Sequence, residues 1–152
     1  GLIEKFGGHA MAAGLTINPG NFEQFKNAFT ESITQHLKGK KPIIELLTDG
    51  QLDVSEITFK NAELLRQASP WGQGFEEPIF YGDFELVEQR VVGEKHLKCN
   101  LKLVGTSSVL EGIAFFQEKL KSKKARVAFK LNVNSFRGNE SLQLMIESIE
   151  SS

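Results

Sequence analysis

Cysteine is nearly absent from this chain: Cys99 stands alone among 152 residues. No intrachain disulfide can form, and no cluster of thiolates can hold a metal. Long apolar runs are also missing. None approaches the roughly 18 residues that a membrane-spanning helix needs. The N-terminus has neither the basic region nor the apolar region of a signal peptide, and it does not begin with Met. These absences point to a piece of a longer protein, free of membrane, in a reducing cytoplasm. A strong net charge is lacking as well, since 18 Lys and Arg stand against 19 Asp and Glu. What remains, 40% hydrophobic and 24% charged, is the composition of one globular domain or two small ones.

The near-zero net charge conceals an uneven distribution. Residues 1–94 carry eight basic side chains against fourteen acidic ones, residues 95–137 ten against two, and residues 138–152 none against three. A local excess of this size suits a surface that binds a polyanion, although a solubilising lysine face has the same charge count.

Local patterns divide the chain in two. Residues 12–17, AAGLTI, read as a short strand closed by Asn18, Pro19 and Gly20. Phe22, Phe25, Phe29, Ile33 and Leu37 recur at helical spacing behind Asn21, a cap with Gln24 three residues on. This predicts an amphipathic helix, ended by Gly39, that packs its aromatic face on a sheet. IIELL at 43–47 reads as a buried strand that could continue to Leu52. A second helix is expected from about Ser55 to Ala68, capped by Ser55 or Thr58, with Ile57, Phe59, Ala62 and Leu65 inward. Two prolines and two glycines in SPWGQGFEEP, 69–78, then mark a boundary or a structured corner.

Beyond Ile79 the periodicity changes to that of β-strands. Leu97, Cys99, Leu101 and Leu103 alternate with His96, Lys98, Asn100 and Lys102. VLEGIAFF, 109–116, reads as a more apolar strand with a bend or bulge at Gly112, and a lysine-rich stretch separates it from 126–136. There Val127, Phe129, Leu131 and Val133 alternate with Arg126, Lys130 and two asparagines, and SFRGNES turns into a last strand. Five strands in this order predict an OB-fold barrel, and the fold class expected overall is α+β. Lys98, Lys102, Arg126 and Lys130 share the outward parity of their strands. Cations on one groove suit phosphates, and Phe136 or Tyr81 beside them could stack a base, or Phe136 could simply pack the turn.

The remaining candidate chemistry lies at the start of the chain. Gly7 and Gly8 can adopt positive φ and turn backbone N–H groups inward as an anion-binding nest, to which His9 would add a directed donor. A purely structural turn fits the same residues. His9, His36 and His96 lie far apart without metal-ligand spacing, and no Asp-His-His triplet occurs.

KFGGHAMAAGLTI resembles the Gly-Gly-His motif of the DHH-associated domain in the DHH phosphoesterase superfamily. SPWGQGFEEPIF and NSFRGNESLQLMIESIE resemble segments of the RecJ single-strand-specific exonucleases within it, so that the likeness covers essentially the whole chain in order. Phe75 stands where that family commonly has Asn. The resemblance implies part of a DHH-associated domain over 1–68, a connecting corner over 69–79 and an OB-fold over 80–152. It implies a bacterial, cytoplasmic parent enzyme that hydrolyses single-stranded DNA from the 5′ end in repair and recombination, using Mn²⁺ or Mg²⁺ held by a catalytic domain not found here. The fragment itself is expected to bind DNA without hydrolysing it and to hold no metal. Gly7, Gly8 and His9 would hold a substrate phosphate, with His9 supporting the catalytic centre, and Lys98, Lys102, Arg126, Lys130, Phe136 and Arg137 would contact the strand. Expected partners are single-stranded DNA, a single-stranded-DNA-binding protein and a repair helicase. Two rival readings share these features: a module docking a replication or repair protein, and part of a DHH phosphoesterase acting on small substrates.

Overall fold

The computed structural model describes residues 1–40, 45–68, 70–93 and 95–151, which fall into two compact units, Gly1–Glu45 and Leu46–Ser152. The division comes earlier than the corner at 69–79, because the second helix belongs to the barrel's core.

In the first unit, β1 (Lys5–His9) and β2 (Ala12–Thr16) form an antiparallel hairpin with Gly7 opposite Gly14 and Gly8 opposite Ala13. Asn18 caps the next turn by accepting from the Gly20 N–H at 2.9 Å, and Pro19 opens it with its preset φ. Helix α1 (Phe22–Leu37) continues from that turn, so the cap expected at Asn21 makes no side-chain bond. The expected packing of α1 on a sheet is not found: the helix has no buried residue, and Phe22, Phe29 and Ile33 are exposed. The two-stranded hairpin leaves its own apolar side chains, Phe6, Met11 and Leu15, exposed as well.

In the second unit, the buried strand expected at 43–47 does not form over its described part. Residues 43 and 44 lie outside the described residues, and Leu46 and Leu47 are exposed. The chain is tied instead at Asp49, whose N–H donates to the Ile79 carbonyl at 2.7 Å and whose carboxylate accepts from the Ile79 N–H at 2.9 Å. Only Gly50–Gln51 (β3) then pairs, in parallel, with Phe80 and Tyr81. Helix α2 (Phe59–Gln67) starts at Thr58, whose hydroxyl accepts from the Asn61 N–H at 3.2 Å, and not at Ser55, because Asp53 and Glu56 close a turn of their own. The corner after it is ordered. Gly72 and Phe75 exchange two backbone hydrogen bonds, Trp71 packs its ring 4.9 Å from Phe75, and the Trp71 indole N–H donates to the Leu65 carbonyl at 3.0 Å.

Five strands form the barrel: β4 (Phe80–Val92), β5 (His96–Leu103), β6 (Val109–Ala114), β7 (Lys124–Phe136) and β8 (Asn139–Ser151). Their order is β4-β5-β6-β8-β7, closed by pairing of β7 with β4, and only β6 and β8 run parallel within the ring. This is the OB-fold arrangement, in which closure leaves no free sheet edge. Alternate residues Leu97, Cys99, Leu101, Val127, Phe129 and Leu144 fill the interior, with Phe84 and Phe129 edge to face at 5.7 Å. Burying each large side chain stabilises the fold by roughly 1.5–3 kcal/mol. Ile57 and Ala62 join this core and bring α2 onto the barrel.

Gly112 is not the bulge expected of it. The β5–β6 register runs through it unbroken, and the shifts fall at Leu86/Glu88 and Ala128/Phe129. Its role is close approach: a Cβ there would lie 2.9 Å from Ile146 Cδ1 and 3.2 Å from Leu101 Cδ1. The strand also ends at Ala114, which leaves Phe115 and Phe116 outside it.

Candidate nucleic-acid interface

Lys98, Lys102, Arg126 and Lys130 all project from the outside of the barrel, opposite in parity to the core residues. Each meets a carboxylate there. Lys98 lies 2.8 Å from Glu111, Lys102 lies 3.8 Å from Glu85, and Lys130 lies 3.6 Å from Glu77 and 3.3 Å from Glu147. Arg126 grips Asp83 with two hydrogen bonds of 2.9 and 3.1 Å. Register causes two of these pairs, since β4 places Asp83 opposite Arg126 and Glu85 opposite Lys102. Hydrogen bonding to Arg126, outweighing partial desolvation, holds the Asp83 carboxyl below its ordinary range.

A second row of polar side chains crosses the same face. Asn100 donates to Glu88 at 3.2 Å, and the buried Gln143 donates to Glu111 at 2.6 Å, so Glu111 holds both an amide and Lys98. The outer sheet is therefore a lattice of opposite charges, not an open cationic groove. Charge counting along the sequence misses this because the carboxylates come largely from the acidic segment at 77–88, brought alongside by strand pairing.

Phe136 and Arg137 occupy the β7–β8 turn. Phe136 is exposed, and the Arg137 guanidinium covers its ring at 5.1 Å. Beside them the Glu140 carboxylate accepts from Arg66 at 3.0 Å and from Ser135 at 2.9 Å, which lowers its pKa from the ordinary value. Tyr81 likewise lies under the Arg126 guanidinium, at 5.8 Å.

Arg90 on β4 has no carboxylate partner among the described residues, and the densest group of such cations lies in the connection between β6 and β7. Among the described residues no carboxylate pairs with Lys119, Lys121, Lys123 or Lys124, nor with Lys95 in the β4–β5 turn. The connection has no helix but is pinned to β4. Gln89 donates its side-chain amide to the Leu120 carbonyl at 2.7 Å and accepts from the Leu120 N–H at 2.9 Å, and the Leu86 N–H donates to the Lys123 carbonyl at 2.7 Å. Where it leaves β6, Phe115 and Phe116 are 50% and 78% exposed. His96 holds them: its Nδ1 accepts from the Phe116 N–H at 3.3 Å, and both rings meet the imidazole edge-on at 5.0 and 5.1 Å. Phe116 has a φ of 54°, a left-handed conformation that costs a side-chain-bearing residue roughly 1–2 kcal/mol. Val91, Lys95, Gln117, Glu118 and Lys119 line a shallow cavity with it. Sequence reasoning read this stretch as a spacer. Its one signal was an aromatic pair shortly before a lysine-rich run.

In the first unit, the anion nest expected of Gly7 and Gly8 is not formed. Both lie within β1, and neither has positive φ. Gly8 serves cross-strand contact instead, since a Cβ there would come within 2.9 Å of the Ala13 Cβ. His9 ends the strand opposite Ala12 with its side chain exposed. Among the described residues no three His, Cys, Asp or Glu side chains gather in one place.

Comparison with known proteins gives this geometry a setting. Residues 48–148 match the family model described as the RecJ OB domain. The chain is 45% identical over 153 residues to the single-stranded-DNA-specific exonuclease RecJ of Salmonella typhimurium, with 97% of the chain and 26% of that protein covered. It is 44% identical over 154 residues to the enzyme of the same name from Escherichia coli, covering 98% and 27%. It thus spans about a quarter of the length of these curated relatives. Among solved structures, RecJ from Thermus thermophilus in complex with Mn²⁺ matches with a TM-score of 0.58 at 25% identity, over 99% of this chain and 22% of that one. The same protein in complex with Mg²⁺ matches with a TM-score of 0.57 at 23% identity, over 99% and 23%.

Proposed function

The chain belongs to the RecJ OB domain family, and from that membership we propose that it is the DNA-guiding part of a single-strand-specific exonuclease, one that binds the strand and does not cleave it. Hydrolysis from the 5′ end with Mn²⁺ or Mg²⁺, in bacterial cytoplasmic repair and recombination, belongs in this reading to a catalytic domain elsewhere in the enzyme. The observation that carries the proposal is the closed OB barrel bearing Lys95, Lys119, Lys121, Lys123 and Lys124 without carboxylate partners among the described residues. Unpaired lysines release counterions when they meet phosphates, which gives sequence-independent, salt-sensitive binding.

The paired cations take a secondary part. At Lys98, Lys102, Arg126 and Lys130 a phosphate must first displace a carboxylate, so each adds less than an open lysine, while Arg137 and Phe136 meet the strand at the β7–β8 turn. Within the span 1–68 read as DHH-associated domain, the His9 imidazole donates to a substrate phosphate as a side chain alone. A single-stranded-DNA-binding protein and a repair helicase remain the partners expected of the whole enzyme.

Neutralising Lys119, Lys121, Lys123 and Lys124 to Gln should weaken binding of a labelled oligothymidylate in a low-salt polarisation titration by at least tenfold, and flatten its salt dependence. Neutralising Lys98, Lys102 and Lys130 should have a smaller effect. The reverse order would move the strand onto the outer sheet, and no effect from either set would remove the barrel from DNA binding.

A further inference from the structure

We propose that Phe115 and Phe116, braced by His96, form a platform on which unpaired bases stack while the flanking phosphates lie on Lys95 and Lys119. The inference rests on the reading of the barrel as a single-strand binder and says which part of it meets the bases.

Availability is the first of three features that set these rings apart. Base stacking needs an exposed ring with an open face. Phe136 has its face covered by Arg137, Tyr81 lies under Arg126, and Phe75 packs against Trp71. Among the described residues no guanidinium or ammonium lies over Phe115 or Phe116, and both rings stand at 75° and 76° to the His96 imidazole, so neither is stacked on it.

The second is preorganisation. Two rings at the start of a loop would ordinarily be mobile, but the Phe116 N–H is bonded to His96 Nδ1, and Leu120 downstream is held by Gln89 from both sides. Phe116 keeps its left-handed backbone at an exposed position where nothing in the core rewards it. Strain retained in this way is a mark of ligand-contacting residues.

The third is charge. Lys95 and Lys119 line the cavity beside Phe116, with Glu118 as its only carboxylate among the described residues. Cations next to open aromatic faces complement a backbone with attached bases, and they distinguish a single strand from a duplex, whose bases are already stacked on each other.

The test uses this 152-residue chain, a labelled 15-mer of thymidine and the same 15-mer with abasic residues at its centre. Phe115→Ala with Phe116→Ala should weaken binding of the intact oligomer about tenfold. The slope of log affinity against log salt should stay unchanged, because no phosphate contact is lost. The abasic oligomer should bind the wild-type chain and the double variant alike. Phe116→Trp keeps a stacking face; it should retain affinity, and its fluorescence should be quenched by the intact oligomer only, a readout independent of the double variant's folding.

Undiminished binding by a folded double variant, or a Phe116→Trp signal that does not respond to the intact oligomer, would overturn the platform while leaving single-strand binding in place. Failure of the wild-type chain to bind either oligomer at low salt would overturn both. Saturation of the same residues by an acidic peptide, with no response to DNA, would also overturn the platform and make this a protein-docking surface.

Discussion

Cys99 shows how far one residue's surroundings set its chemistry. It faces into the barrel at 2% exposure, with its Sγ 3.7 Å from the Gly112 carbonyl. Burial, with the nearby Glu111 carboxylate adding to it, pushes the thiol up to about 11. Reaction with thiol reagents needs the thiolate. Native protein at pH 8 should therefore react with a chromogenic disulfide only on the timescale of unfolding, while protein in 8 M urea should react at once. Rapid labelling of the folded chain would show that the β5–β6 interior opens locally. The same interior explains Gly112, which the sequence presented as a bend but which the core requires for want of space.

At the scale of elements, the cross-strand pair Arg126–Asp83 ties β7 to β4 where the barrel closes. Its sign with pH follows from the lowered Asp83 pKa. The stabilisation is fully present above the ordinary aspartate value of about 3.9 and is lost as the pH falls through the lowered value. Arg126→Gln should thus lower the urea midpoint at pH 7, the difference should vanish at strongly acidic pH, and the Asp83 carboxyl should titrate closer to its ordinary range by NMR. A difference that persists after Asp83 is protonated would assign the effect to packing of Arg126 on Tyr81. Strand parity was legible from sequence because alternation such as Leu97, Cys99, Leu101, Leu103 is local. Partners were not: Glu85, Asp83 and Glu77 lie 17, 43 and 53 residues from the cations they meet, and only the closed register brings them together. The aromatic face of α1 shows the opposite case, a clear local period that buries none of its residues among the described ones.

For the molecule as a whole, the OB barrel and its topology could be read from strand count, periodicity and resemblance, whereas the site could be read only in outline. Ten basic side chains fall in 95–137, and the four chosen from parity each meet a carboxylate. The open cations sit on a connection without periodicity, where sequence offers composition and nothing of geometry. The central claim is that this chain, spanning about a quarter of its curated relatives, binds single strands through that open charge. It is tested most directly by polarisation titration of the chain with a labelled oligothymidylate and with a duplex of equal length, between about 20 and 200 mM salt. The account predicts preference for the single strand, with log affinity falling linearly against log salt at about 0.7 per phosphate neutralised. Absence of single-strand binding at the lowest salt, or an affinity indifferent to salt, would contradict it.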